Sequence, residues 1–557
     1  MKKLLFSVFL LLLTVAGTAQ EGATLRGSLE SNANFFRRDS LIGADNIPQY
    51  DNQLFGADVW MNLSYSYKGF DVGLRFDMFN NSNLLNPTGS YTAQGIGRWY
   101  AKRKFNKLGV SAGYLYDQIG SGIIYRAYEQ RPLLIDQALY GLRLTYDVAP
   151  DWQIKAFTGR QKRQFDLYES VIRGASIDGF ISVDSLQKGT LTFAPGAGVI
   201  ARTLGDETVQ SLVTTLSTYV PEDRSKLKYN TYAFSLYNTM SLNNLSWYAE
   251  AAYKSNEVFF DPNAVRTRVG AANTLGRLTN GSGLVLYTSL SYTAKGFGIT
   301  VEGKRTENFD FRTDPQLRLN NGLMNFIPPM ARQNTYRLTT RYTAVTQFLG
   351  EQALQAEMRY SPSRKLQFLL NGSYIDDLQG NLLYREVLGE VLYKYKRKIR
   401  AVFGLQRQIY NQEIYFVKPE EDNIETWVPY IDFQYKLAKR KAIRLEFQYM
   451  NVNENDKGEK LDYGDWMNAL VEFTIAPHWT FTASDMYNFN PGKASPTNPD
   501  GSKAKIHYPR FDIFYTYKTN RFSISYVKQV EGIVCTGGIC RLEPAFSGVK
   551  VGVNSVF

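Results

Sequence analysis

Apolar and polar residues alternate along most of this chain, and this alternation restricts the fold more than any other feature. In segment 70–79, one side carries Phe70, Val72, Leu74, Phe76 and Met78, and the other carries Asp71, Gly73, Arg75 and Asp77. Segments 443–449 and 510–517 behave in the same way. A strand with one apolar and one wet face gives this period of two. The chain is therefore predicted to be all-β.

The links between these segments alternate between short and long. The short links are basic or turn-like, such as 68–69, 105–109, 148–152, 295–296, 361–366, 396–399, 438–442 and 518–521. The long links are 37–52, 80–94, 119–137, 204–228, 255–282, 306–351, 410–426 and 490–505. Tight turns at one end and long loops at the other are typical of outer-membrane barrels. We predict a transmembrane up-and-down antiparallel β-barrel of about 24 strands, within a range of roughly 22 to 26.

Soluble all-β folds fit the pattern less well. A propeller would show a repeat of roughly 40 to 50 residues, and none is present. A sandwich of so many hairpins would leave exposed strand edges, which closure into a barrel removes.

The first residues are typical of a secretory signal peptide. Lys2 and Lys3 precede an apolar run from 4 to 15, and Gly17-Thr18-Ala19 forms a small-x-small cleavage site before Gln20. The run is shorter than the ~20 residues of a membrane-spanning helix. We expect cleavage between Ala19 and Gln20, with residues 1–19 removed and 20–557 forming a single outer-membrane barrel domain.

The last strand carries a second targeting feature. Val549, Val551 and Val553 share one face of the strand, and the chain ends at Phe557. This pattern resembles the signal that barrel-insertion machinery recognises during assembly. It would place Phe557 and the short turns on the periplasmic side and the long loops outside the cell.

The charge of the chain fits this orientation. The net charge is +12, and many Lys and Arg residues lie at the short turns. The export signal argues against nucleic acid as the anionic partner, and we expect the basic periplasmic rim to meet anionic lipid headgroups of the inner leaflet. The alternative is that these side chains only solvate tight turns. Outer-membrane lipids and lipopolysaccharide are the expected surroundings of the barrel as a whole.

A barrel of this size needs a filled interior. Barrels of about 16 to 18 strands already enclose an aqueous channel, and those of about 22 are plugged. Alternation begins near residue 23, so we expect no plug domain ahead of the barrel. Loop 306–351, with its apolar stretch 326–330, is expected to fold into the lumen, unless a partner protein fills it. Charges of both signs are expected on the lumen face: Asp71, Arg75, Asp77, Glu302, Lys304, Arg444, Glu446, Glu472, Arg510 and Asp512.

No catalytic, cofactor or metal motif stands out. The chain has two histidines, His478 and His507, and neither lies in a recognisable motif. We expect a protein that is not an enzyme and needs no cofactor. An outer-membrane hydrolase acting through His507 is the third and weakest alternative.

Three segments resemble those of a Bacteroidetes outer-membrane barrel family that is classed as a domain of unknown function. They are DETVQSLVTTLSTYVPEDR, KYNTYAFSLYNTMSLNNLSWYAEAAYK and QVEGIVCTGGICR. The resemblance implies an outer-membrane location and supplies no activity.

The expected function is a porin-like channel or passive uptake pore, narrowed by its loops. The alternative is a non-conducting subunit of an envelope complex for secretion, barrel assembly or surface display. Its partners would be other outer-membrane proteins or surface lipoproteins.

The cysteines generate the first testable prediction. Cys535 and Cys540 flank Gly537 and Gly538 in the last loop, which faces an oxidising compartment, so we expect a disulfide. A metal site would need two more ligands, and a redox pair usually reads Cys-x-x-Cys. Closing so small a ring stabilises the chain by roughly 2 kcal/mol. A maleimide applied to intact cells should label neither cysteine without reductant, whereas a Cys535→Ser variant should be labelled at Cys540. Labelling of the unreduced parent chain would contradict the disulfide.

Overall fold

The computed structural model describes residues 23–85, 88–185, 189–268, 271–536 and 539–557, and only the backbone at 132, 185, 268, 271, 533–536 and 539–542. Within these residues one sheet of 25 strand segments closes on itself. Asp166–Gly179 and Ile181–Ser185 pair with the same neighbour and form one interrupted strand, which gives a closed antiparallel barrel of 24 strands. The predicted fold class is confirmed. The predicted signal peptide, with Ala19 and Gln20, lies outside the described residues.

The strands, numbered along the chain, are β1 Thr24–Phe36, β2 Phe55–Tyr67, β3 Phe70–Ser82, β4 Tyr91–Phe105, β5 Leu108–Leu115, β6 Leu139–Ala149, β7 Trp152–Arg163, β8 Asp166–Gly179 with Ile181–Ser185, β9 Gly189–Thr203, β10 Asn230–Leu242, β11 Leu245–Arg268, β12 Ala271–Ala294, β13 Phe297–Glu307, β14 Gly350–Ser363, β15 Leu366–Asp376, β16 Leu382–Tyr395, β17 Ile399–Tyr410, β18 Ile424–Ala438, β19 Lys441–Val452, β20 Gly464–Ile475, β21 Trp479–Pro491, β22 His507–Tyr517, β23 Asn520–Gln529 and β24 Phe546–Val556. Each strand pairs with its two sequence neighbours, and β24 pairs with β1. The start of β1 and the end of β24 therefore lie at the end of the barrel that carries the tight turns.

The opposite end carries most of the long links, as the sequence predicts. Three links differ from that pattern, one of them the five-residue link 377–381 between β15 and β16. β7 and β8 are joined at this end by only Gln164 and Phe165. The prediction of a long loop at 255–282 is wrong. β11 and β12 extend into this segment from both sides and pair with each other as a hairpin. Ladder pairing satisfies the backbone groups that a loop would have to leave to water.

Two α-helices lie in the long links among the described residues. α1 spans Asp206–Ser217 and α2 spans Gln412–Tyr415. α1 buries Val209, Leu212 and Leu216 at helical spacing, with Asp206 and Glu207 in its first turn, where acids favour the helix dipole. None of the helices in the described part of the chain is long and apolar enough to cross a membrane.

The outward face of the strands is apolar. Exposed side chains on it include Phe70, Val72, Leu74, Phe76, Phe403, Leu405, Leu445, Phe447, Phe511, Ile513, Phe522 and Ile524. The polar residues between them point inward, as the alternation predicts. A continuous apolar outer band around a polar interior is the arrangement of barrels that stand in lipid.

The seam between β24 and β1 depends on a glycine. The amide of Gly27 donates to the carbonyl of Phe557 at 2.7 Å, and the Phe557 amide donates back at 2.9 Å. A Cβ on Gly27 would lie 2.1 Å from the Phe557 ring. The terminal ring therefore occupies the space that any other residue at position 27 would need.

We expect Gly27→Val to weaken closure of the barrel. The added side chain must displace Phe557, at a cost of about 1–3 kcal/mol. Urea unfolding in detergent micelles, followed by tryptophan fluorescence, measures this loss. Gly389→Val is the matched control, because a Cβ there meets nothing within 4 Å. Equal midpoints for the two variants would contradict this account of the seam.

Candidate functional site: the filled barrel lumen

The inner wall carries the charges that the sequence places there. Arg75, Asp77, Lys304, Glu446 and Asp512 are buried. Neighbouring inward charges form pairs, as in Arg75–Asp77 at 2.7 Å, Lys102–Asp71 at 2.7 Å and Arg510–Asp512 at 2.9 Å. The wall therefore presents polar groups of both signs to whatever fills the lumen.

Two links fold against this wall. Residues 308–349, between β13 and β14, are named the long inner segment, and residues 116–138, between β5 and β6, the short inner segment. The long inner segment buries side chains along its length: Phe309, Phe311, Leu323, Met324, Ile327, Met330, Leu338 and Tyr342. Of the apolar stretch singled out in the sequence, Ile327 and Met330 are buried, and the Arg126 guanidinium lies 4.2 Å from the centre of the Phe326 ring.

Polar contacts hold the first half of the long inner segment to strands β7–β9. Gln161 on β7 donates to the carbonyl of Leu323 at 2.8 Å. Ser170 on β8 donates to the carbonyl of Thr313 at 2.5 Å. Backbone carbonyls of an irregular segment thus find donors on the wall, as buried carbonyls require.

The second half contacts strands β16–β19, farther around the barrel. Gln406 on β17 donates to the carbonyl of Thr339 at 3.2 Å, and the Leu338 amide donates to the Gln448 side chain on β19 at 2.7 Å. The Tyr336 hydroxyl donates to Asp432 on β18 at 3.3 Å. A salt bridge also joins Arg332 to Glu390 on β16 at 3.2 Å. The long inner segment therefore bridges well-separated strands across the interior.

Three buried charged residues on the wall hold this segment in place. They are Arg202 on β9 with Lys254 and Glu257 on β11, and they are named the wall triad. Glu257 accepts from Arg202 at 2.7 Å and from Lys254 at 2.6 Å. The two cations donate onward to the segment's carbonyls, Arg202 to Arg312 at 2.7 Å and Lys254 to Asp310 at 2.9 Å. Buried ions are tolerated only when such hydrogen bonds are made. The triad and the segment consequently stabilise each other.

A second buried anchor lies where the long inner segment enters and leaves the wall. Lys304 on β13 and Glu351 on β14 are 2.5 Å apart and both side chains are 0% exposed. Lys304 also donates to the Pro328 carbonyl at 2.6 Å and to the Thr346 hydroxyl at 2.9 Å.

The short inner segment is held mainly by ion pairs. Arg75 on β3 contacts both Glu129 and Asp136, and Lys162 on β7 reaches Asp136 at 2.5 Å. Burial raises the pKa of Glu129 although Arg75 lies beside it. Burial acts in the same direction on Asp136, but Lys162 and Arg75 outweigh it and lower the pKa of that carboxyl. Asp136 contacts both cations of the cluster and is stabilised by them in its charged form.

The two inner segments also bind each other. The Arg126 amide donates to Met324 at 2.8 Å, and the Phe326 amide donates to Gly122 at 2.9 Å. Ser121 donates through its amide and hydroxyl to Glu250 on β11, at 3.0 and 2.6 Å. The lumen contents thus form one connected body.

A cavity of about 620 Å³ opens beside this body at the loop end. Its lining includes Gln137, Gln161, Glu169, Asp314 and residues of α1. Both amide atoms of Gln137 and the amide oxygen of Gln161 are buried there without a hydrogen-bond partner. Such groups favour a polar occupant.

Sequence reasoning did not single out the short inner segment's fold or the wall triad. The signal available for the triad is a charged residue at an inward position of a mainly small or apolar strand, as Arg202 is at the end of β9. For the short inner segment, the signals are two runs of apolar residues, 123–125 and 133–135, within a polar link.

The other residues singled out in the sequence lie away from the lumen body. Val549, Val551 and Val553 are on β24 and pair with Phe35, Ala33 and Ser31 of β1. Cys535 and Cys540 are opposite each other in the backbone of a small hairpin, and their side chains lie outside the described residues. The disulfide stays a prediction.

The two histidines also lie on the barrel itself. His507 contacts Asp485 at 2.5 Å in an exposed position, and His478 contacts the Thr516 carbonyl at 2.8 Å. Within the part of the chain that the structure describes, no three His, Cys, Asp or Glu residues gather as metal ligands do.

Comparison with solved structures returns membrane barrels at low similarity. The siderophore receptor PirA from Pseudomonas aeruginosa is 10% identical, with a TM-score of 0.40, over 97% of this chain and 81% of its own. The P pilus usher (PapC) translocation pore is 9% identical, with a TM-score of 0.40, over 96% and 99%. OccAB4 from Acinetobacter baumannii is 12% identical, with a TM-score of 0.33, over 73% and 97%. At such values the resemblance does not extend to function.

No curated protein matches the sequence. A family profile, described as a family of unknown function (DUF6029), matches residues 1–557. The chain therefore belongs to the DUF6029 family of proteins of unknown function.

Proposed function

We propose that this protein is an integral outer-membrane barrel that acts as a porin-like uptake channel gated by its two inner segments. The observation that best supports this proposal is that polar contacts, and not apolar packing alone, fix these segments to the wall. Contacts of this kind are exchanged readily for contacts with water or solute.

The apolar outer band supports the membrane location. An outward face of exposed Phe, Leu, Ile and Val is stable only in lipid or against a partner. The periplasmic position of the tight turns, insertion through the β24 signal and contact with lipopolysaccharide belong to the same proposal.

The loop-end cavity supports uptake from outside. It adjoins the lumen body, and its unpartnered amides offer a first binding place for a small polar solute. Movement of the long inner segment, 308–349, would then open a path for the solute from this cavity through the lumen.

A non-conducting subunit of an envelope complex is the second candidate. The observation that favours it is the apolar cluster that joins the long inner segment to strands β14–β24, with Met330, Leu338, Tyr342, Trp466 and Phe546 among its members. A body packed in this way can be permanent.

Removal of the long inner segment distinguishes the two candidates. Residues 310–347 can be replaced by a short Gly-Ser turn, because the amides of Asn308 and Phe309 donate to the carbonyls of Leu349 and Phe348 at 3.0 and 2.7 Å and hold the ends together. We expect large stepwise conductance in planar bilayers from this variant and rare, smaller openings from the parent protein.

The matched control replaces exposed residues 456–459 of the β19–β20 link by the same turn and should conduct like the parent. A silent deletion variant that still resists unfolding as a barrel would rule out the channel and favour the second candidate.

The wall triad gives a finer prediction. Lys254→Met removes the contact to the Asp310 carbonyl and leaves Glu257 paired with Arg202. If about 1.4 kcal/mol of segment binding is lost, the ratio of open to closed channels rises about tenfold. Single-channel recording measures this ratio. Lys102→Met, which removes an exposed pair with Asp71, should leave the ratio unchanged. Equal effects of the two substitutions would show that the triad does not hold the gate.

A further inference from the structure

Positive charge is concentrated in one sector of the turn end. Three successive tight turns, β14–β15, β16–β17 and β18–β19, line one cavity of about 700 Å³ together with the strand residues beside them. Its cationic lining, named the basic vestibule, is Arg364, Lys365, Lys394, Lys396, Arg397, Lys398, Arg400, Lys436, Lys439, Arg440 and Lys441. No Asp or Glu belongs to the lining.

Nearly all of these cations lack an anionic partner within the described residues. Arg400 pairs with Asp432 at 3.2 Å, and Arg444 and Glu446 complete a network with the same carboxylate. None of the other vestibule cations forms a salt bridge with any residue that the structure describes. All of those unpaired side chains are exposed. The vestibule is thus an uncompensated positive surface.

The register of the strands places Lys394 and Lys436 inside the rim of the barrel, whereas Lys441 lies on the outward face of β19 with Leu445 and Phe447. Lys394 lies on the same face of β16 as Glu390, which binds the long inner segment, and Lys436 shares a face of β18 with Asp432. Side chains that follow the lumen face point away from the outer band. Lipid headgroups around the barrel therefore do not explain the cations on the lumen face, although they suit basic residues on the outer side, such as Lys441.

The backbone keeps the three turns close together. The Lys394 amide donates to Lys365 at 2.7 Å, and the Lys436 amide donates to Lys398 at 2.8 Å. Like charges on turns that the backbone holds side by side repel one another, and the repulsion is relieved when an anion binds. The arrangement therefore favours an anionic occupant.

The length of the vestibule restricts the size of that occupant. Turns at the same end are two strands apart, about 10 Å, so three of them cover about 20 Å. A phosphate ion can engage one turn only. An extended peptide, at about 3.3 Å per residue, covers the three turns with about six residues.

We propose that the basic vestibule docks an extended acidic segment of a soluble protein at the turn end of the barrel. Carboxylates at successive positions would meet the three turns in order. The segment would lie below the inner segments and would not compete with a solute that enters from the loop end.

The test uses the full-length barrel in neutral nanodiscs and a fluorescein-labelled octaglutamate peptide, with fluorescence anisotropy as the readout. We expect binding that weakens as salt is added, since screening acts on exposed charges. Reversal of the middle turn, K396E/R397E/K398E, should weaken binding about tenfold or more. The control K68E/K295E/K518E changes net charge equally at three turns outside the vestibule and should bind like the parent.

Several outcomes would overturn the proposal. These are octaglutamate binding no tighter than a neutral octapeptide, equal losses in both triple variants, or displacement by inorganic phosphate or triglutamate at the same concentration as by unlabelled octaglutamate. Tighter binding of a single-stranded oligonucleotide of equal charge, or of vesicles with anionic headgroups, would also overturn it. The far-ultraviolet circular dichroism of both triple variants should match that of the parent protein, which excludes misfolding as the cause of weaker binding.

Discussion

Hydrogen bonding of the backbone at the seam between β1 and β24 is the constraint on which the rest of the molecule depends. An open sheet of this length would expose two rows of unpaired amides and carbonyls, which lipid cannot satisfy. Closure through the Gly27–Phe557 pair removes both edges. The position of Phe557 follows from it, and so does the placement of the start of β1 beside the tight turns.

Closure of the sheet also creates a wide interior that must be filled. A ring of 24 strands is too wide for its own side chains to fill, so two links supply the remaining volume. Because their backbone is irregular, each buried carbonyl needs a donor, and the wall provides donors at Gln161, Ser170, Arg202, Lys254 and Lys304. The mixed charges on the inner face therefore serve to hold an internal body rather than only to wet a channel.

The barrel strands can be predicted from the sequence much better than the structure of the segments that fill the lumen. Strand alternation at Phe70–Ser82 or Lys441–Val452 is local, so the faces and the strand number can be predicted without knowledge of the fold. Extension of β11 and β12 through 255–282 could not be predicted, because pairing beyond the membrane follows no apolar pattern. The contacts of Lys254 with Glu257 and Asp310 depend on a bulge between Lys254 and Glu257 and on a link 56 residues away. The periodicity of apolar residues in one sequence does not indicate which distant residues will pair.

The position of the long inner segment in the chain has a consequence for how the protein is built. It follows β13, yet it grips β7–β11 on one side and β16–β20 on the other. The strands on the second side follow the segment in the chain, so its contacts with them cannot form until those strands are in place. The segment is therefore fully held only when both halves of the wall are present. Contacts between parts so distant in sequence are slow to form, and the ring is complete only when Phe557 pairs with Gly27.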